Sequence, residues 1–160
     1  MLRKQILTQG PTAPAAPLEE KNIAALATVL VTSETIAYPI DHVFDSRRGP
    51  SGSRWVAAGP GEQILILAFD TAQTLHRVIL EVEELEVSRT QELELSISSD
   101  GGQTYRELRR QEYTFSPPGT SFEREDWAIT AEGITHLQLR IKPDKGGKPC
   151  RATLTSLTVQ

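Results

Sequence analysis

Residues Leu93-Glu94-Leu95-Ser96-Ile97-Ser98 place an apolar side chain at every second position, and the run stops at Ser99-Asp100-Gly101-Gly102. Successive side chains of a strand point to opposite faces, so this spacing predicts a strand with one buried face. Asp-Gly is a strong hairpin signal, because glycine reaches positive φ without a steric penalty. Residues 103–108 are therefore expected to return as the second strand. The same period recurs in Val78, Leu80 and Val82, set against Glu81 and Glu83. It recurs again in Leu137, Leu139 and Ile141, set against Gln138, Arg140 and Lys142. Ile64–Phe69 is continuously apolar, the pattern of a strand covered on both faces.

Residues 21–34 read two ways. Ile23, Leu26, Val29 and Leu30 fit helical spacing, whereas Thr28-Val29-Leu30-Val31-Thr32 is β-branched, and a strand over 28–33 is favoured. Residues 111–115, 122–129 and 154–159 are further strand candidates. With no long helical period, about eight strands at short spacings predict an antiparallel all-β sandwich or barrel.

The punctuation divides the chain. Gly10, Pro11, Pro14 and Pro17 block helix and sheet ladders, so residues 1–20 are expected to be a mobile, extended arm and 21–160 one domain. Asp41–Gly61 is rich in glycine and proline and is expected to be a long loop carrying Arg47, Arg48, Arg54 and Trp55. The chain has 160 residues and a net charge of −4, so no basic field draws it to nucleic acid or anionic lipid. No run approaches the ~18 apolar residues of a membrane span. No export signal is visible near Met1, and a cytoplasmic location is expected. The single Cys150 excludes an intramolecular disulfide.

No catalytic constellation emerges. Cys150 and the histidines His42, His76 and His136 share no local signature, and no spacing suits zinc. Glu81, Glu83, Glu84, Glu86, Glu92 and Glu94 read as a solvated sheet face. Gly49-Pro50-Ser51-Gly52-Ser53-Arg54 lacks the Lys-Ser/Thr of a phosphate loop. No enzyme activity, cofactor or metal is expected. The candidate ligand-binding residues are Arg47 and Arg48, whose guanidinium forks suit polar ligands, with Arg54, Trp55 and Trp127. The competing reading puts both tryptophans in the core and leaves Arg47 and Arg48 solvated, or paired with Asp41 or Asp45.

Three landmarks carry a family resemblance. They are Val31-Thr32-Ser33-Glu34 leading through Tyr38-Pro39-Ile40 to Phe44-Asp45 and Ser53-Arg54-Trp55; Ile66–Asp70 followed by His76-Arg77-Val78-Ile79-Leu80; and Ser98-Ser99-Asp100-Gly101-Gly102-Gln103-Thr104-Tyr105. A late Leu137-Gln138-Leu139-Arg140 strand joins them. In this order they resemble the galactose-binding-like jelly roll of the discoidin, or factor V/VIII C-type, domains. The resemblance implies an antiparallel jelly-roll β-sandwich over residues 21–160. It also implies a non-catalytic module that binds carbohydrate, or a related polar ligand, through loops at one end. An intracellular protein-interaction or assembly module is the alternative. Many such domains hold a structural calcium beside the acidic loop with a glutamate on the last strand. Ser156 occupies the matching position here, and Asp41 and Asp45 alone make a poor site.

Overall fold

The computed structural model describes residues 18–160. The expected proline-bearing arm lies, through residue 17, outside the described residues. The described chain enters beside its own end, where the Lys21 N–H donates to the Val159 carbonyl at 2.7 Å. Both readings of the next segment hold in turn. A single helical turn, α1 (Ile23–Leu26), is capped by the Asn22 side chain and gives way to β1 (Ala27–Val31) where the β-branched residues begin. A 3₁₀ turn over Ile40–Phe44 follows. The remaining elements are β2 (Trp55–Pro60), β3 (Gln63–Glu83), β4 (Arg89–Ser98), β5 (Arg106–Phe115), β6 (Phe122–Lys142), β7 (Arg151–Leu154) and β8 (Ser156–Val159).

The long strands β3 and β6 organise the sandwich. They pair antiparallel from Gln63↔Ile141 to Glu83↔Phe122, with register shifts between Ala68 and Arg77. The first half of β3 lies between β1 and β6, and the second half of β6 goes on to pair with β4, which pairs with β5. Beyond the shifts, β3 takes β8 as its other neighbour. The Thr155 N–H donates to the Glu81 carbonyl at 2.9 Å, and the chain before it, β7, pairs with β2. Bulges bend a strand and raise its twist, which lets β3 and β6 serve both layers.

The sequence reading split each long strand in two. It separated 63–70 from 75–85, and 122–129 from 136–142, because the largely polar stretch around Thr71–Thr74 and Gly133 resemble breaks. They are the bulged middle of continuous strands, and Gly133 supplies the positive φ of 68°. Likewise β5 runs unbroken through the two pieces expected at 103–108 and 111–115, starting at Arg106. β2 occupies the end of what reads as an unbroken loop.

The core follows the alternation. Leu65, Leu139 and Leu95 stand side by side across β3, β6 and β4, as do Leu67, Leu137 and Ile97, and all six are at most 3% exposed. Val78, Leu80, Val82, Trp55, Leu154, Leu157 and Val159 complete the same cluster. Burying one such side chain contributes about 1.5–3 kcal/mol. Ile64, Ile66 and Ala68 are only half-buried, so this strand has one core face, not the two covered faces expected from its unbroken apolar run.

Candidate functional site

The Arg89 end of β4 is where distant segments converge. Residues near 35–38, 54–56, 83–89 and 149–153 enclose a cleft of about 540 Å³. A shallower hollow of about 380 Å³ lies beside it, and Tyr38, Arg54 and Glu83 line both. Tyr38 is 39% exposed, and the Arg54 guanidinium carbon is 4.9 Å from its ring centroid. This cation–π distance fixes the ring and the fork relative to each other. The Tyr38 carbonyl accepts from the Val56 N–H at 3.2 Å, which ties the aromatic to β2. Leu85, 53% exposed, adds an apolar rim to the hollow.

Beneath the opening is a buried ion pair. Arg89 Nε lies 2.8 Å from Glu84 Oε1, while Arg89 Nη1 donates to the Arg151 carbonyl at 2.6 Å and approaches Cys150 Sγ at 3.5 Å. One guanidinium thus joins the β3–β4 turn to the segment leading into β7. A buried charge persists only where partners replace its water, and here carbonyl and carboxylate do so. The wall of the cleft is held by acids. Glu83 accepts the Ser51 N–H on both oxygens, at 3.2 and 3.0 Å. Glu81 accepts the Gly49 N–H likewise at 3.2 and 2.9 Å. Around the cleft Arg54, Arg89 and Arg151 balance Glu83, Glu84 and Glu86, so no net charge selects a strongly ionic ligand.

Of the five candidate ligand-binding residues, Arg54 alone lines this cleft. Trp55 is 1% exposed and donates its indole N–H to the Ser33 carbonyl at 2.9 Å, and Trp127 is 8% exposed. The expectation that these rings meet a ligand is corrected: both pack in the core, with no face free to stack. Arg47 and Arg48 are exposed and line neither hollow. Arg48 pairs with Glu20 at 2.5 Å instead of Asp41 or Asp45, and the Arg47 backbone N–H donates to Asp45 Oδ1. The solvated-acid reading is corrected for three of its six glutamates, since Glu81, Glu83 and Glu84 are only 3%, 6% and 8% exposed, while Glu86 is exposed and Glu92 and Glu94 are half-buried. The sequence reading also missed Tyr38 and Arg89 as site residues. The only local hint was Tyr38-Pro39, which holds the ring in an extended segment.

The calcium implied by the resemblance does not fit these residues. The Glu81 oxygens are taken by a backbone N–H and by the Ser156 hydroxyl, which donates to Oε1 at 3.2 Å. Among the described residues no three His, Cys, Asp or Glu side chains gather as metal ligands. Nor is any helix there long and apolar enough to cross a membrane.

The chain has an antiparallel jelly-roll β-sandwich fold with a polar cleft among its loops. Solved structures make the comparison specific. The third family 32 carbohydrate-binding module of a family 31 glycoside hydrolase from Clostridium perfringens superposes with a TM-score of 0.65 at 14% identity, covering 88% of this chain and 93% of that one. The family 32 module of AlyQ, in complex with 4,5-unsaturated mannuronic acid, gives a TM-score of 0.61 at 17% identity, with 89% and 98% covered. A two-module structure from Clostridium perfringens ZmpB in complex with GalNAc gives 0.62 at 14% identity; 88% of this chain is covered, and it spans 35% of that one. No family model matches the sequence. No curated protein matches it either.

Proposed function

We propose that this chain is a non-catalytic carbohydrate-binding module and that it takes a neutral sugar in the Tyr38–Arg54 cleft. One observation carries the reading: an exposed tyrosine ring, braced by a guanidinium, stands at the mouth of a polar-lined cleft at the loop end of the sandwich. Pyranose C–H faces pack on aromatic rings, and their hydroxyls both donate and accept. A cleft lined by carboxylates, guanidiniums and a tyrosine offers partners of both kinds. The balance of three acids against three arginines favours a neutral sugar over a uronic acid. The solved relatives named with GalNAc and with an unsaturated mannuronic acid support the ligand class.

The test is a glycan array followed by calorimetry on the hits. Tyr38→Ala and Arg54→Ala are expected to weaken binding by about tenfold or more, a loss of ~1.4 kcal/mol or greater. Silence across neutral glycans, or wild-type affinity in Tyr38→Ala, would overturn the reading.

A further inference from the structure

We infer that Glu81 and Glu83 are positioning residues: they clasp the 45–54 loop by its backbone N–H groups, where the resemblance implies a calcium ion, and so set Arg54 against Tyr38. The two acids are two residues apart on β3 and share its outer face, opposite Leu80 and Val82. Strand positions on that face ordinarily stay wet, yet both acids are nearly covered. Among the described residues neither makes an ion pair with lysine or arginine. A buried carboxylate without a cation needs donors. The loop supplies them, since Gly49 and Ser51 give their N–H groups to Glu81 and Glu83 respectively. The residue between them is Pro50, which has no N–H to offer.

The loop backbone is shaped for this task. Gly49 has φ 84° and Ser51 has φ 66°, so two left-handed residues flank the proline. An L-residue such as Ser51 adopts that conformation at a cost, which the hydrogen bond to Glu83 offsets. The polarity is the reverse of a cation site. Calcium draws backbone carbonyls and carboxylates to one point, whereas here loop N–H groups face the carboxylates. Ser156, on the strand where the resemblance places a glutamate, adds a hydroxyl donor to the same cluster. Four residues beyond Gly49 the loop reaches Ser53 and then Arg54, whose guanidinium lies over Tyr38. Its backbone is also held by the Arg54 carbonyl to His42 Nδ1 contact at 3.0 Å. Releasing either acid would free the segment that carries the fork.

Amide hydrogen exchange and nuclear magnetic resonance on the whole chain test this without any sugar. Glu81→Gln and Glu83→Gln keep the side-chain shape and remove the charge. The expected result is loss of about tenfold or more in exchange protection at Gly49 and Ser51 respectively, with Leu95 and Leu139 amides unchanged. The Tyr38 ring resonances are expected to move in Glu83→Gln as Arg54 is released, and Glu83→Asp is expected to restore them only in part. Millimolar calcium chloride or EDTA is expected to leave the wild-type Tm within about 1 °C. Stabilisation by calcium of several degrees would overturn the inference. So would wild-type Gly49 and Ser51 amides that exchange as fast as exposed Arg48, or unmoved Tyr38 resonances in Glu83→Gln. Should a variant fail to fold, the wild-type exchange and calcium titration still decide the matter. The consequence for sugar affinity rests on the glycan-binding reading: a wild type that binds no glycan sinks that reading and leaves the clasp standing.

Discussion

The two ends of β4 are built by opposite strategies. At the Ser98 end the turn is closed mainly by Asp100, with Thr135 of β6 bonding the Gly101 N–H and the Ser98 carbonyl. Asp100 accepts from the Ser98 hydroxyl at 2.6 Å, from the Gln103 and Thr104 N–H groups at 3.1 and 3.0 Å, and from the Thr104 hydroxyl. Those bonds, chiefly from Ser98 and then Thr104, hold its carboxyl well below the usual carboxylate range. Every partner of Asp100 lies within a few residues. At the Arg89 end, Tyr38, Arg54, Glu83, Glu84, Arg89 and Arg151 come from segments that meet only in the folded chain. The difference teaches where recognition can be placed. The Asp100 carboxylate spends its acceptors inside its own turn, so the hollow of about 580 Å³ between this hairpin and residues 130–134 lacks the gathered guanidiniums and carboxylates of the other end. Loops gathered from remote segments leave polar groups facing a cleft.

The largest expected effect would dismantle the gathered end. Arg89→Met strands Glu84 and frees the Arg151 carbonyl, and removing one partner of a buried pair costs about 3–5 kcal/mol. Urea denaturation would read it; a loss under about 1 kcal/mol would mean that the cleft does not hang on this guanidinium. Next comes Tyr38→Ala. With the ring 39% exposed, its removal is expected to cost the sugar about tenfold in affinity while leaving stability nearly unchanged, a separation seen by pairing calorimetry with thermal melts.

A smaller effect belongs to the hairpin. Because the folded-state pKa of Asp100 is depressed, its charge contributes stability that is fully present above the unfolded carboxylate value near 4 and is lost as the pH falls below it. Asp100→Asn is therefore expected to lower Tm at neutral pH, with the gap to wild type narrowing as the pH is taken from about 5 toward 2. A gap that stays constant over that range would show the hairpin to be held by shape alone. Smallest of all, Arg47→Ala/Arg48→Ala is expected to leave sugar affinity unchanged, since neither side chain lines the cleft. A marked loss in that double variant would move the site toward the loop tip and erase the contrast between the two ends.

How far the sequence reading reached follows the same division. The alternation at Leu93–Ser98, Val78–Val82 and Leu137–Ile141 was enough to assign buried faces, because a strand sends neighbouring side chains to opposite sides whatever packs against them. Asp100-Gly101-Gly102 announced its hairpin because the turn is closed mainly by its own residues. The continuity of β3 and β6 was not legible, since a bulge with polar residues and Gly133 looks locally like a loop. The site was legible only through Arg54. Trp55 looked like a stacking platform and proved to be core, because what covers a ring is chosen by strands more than ninety residues apart, such as β2 beside β7.

The sequence by itself determined the class of fold: alternating polarity and turn residues allow little but an antiparallel sandwich, and these are properties of short stretches. Tertiary structure decided which polar side chains line the cleft and which serve the scaffold. Glu81 and Glu83 carry the pattern of a wet strand face, yet a loop some thirty residues earlier lies over them and turns them into its anchor. Tyr38 carries only the extended bias of its Tyr38-Pro39 step, and stands at the mouth of the cleft because Arg54 is brought to its ring. Periodicity reports which side of a strand a residue occupies; only the packing of remote segments fixes what lies on that side.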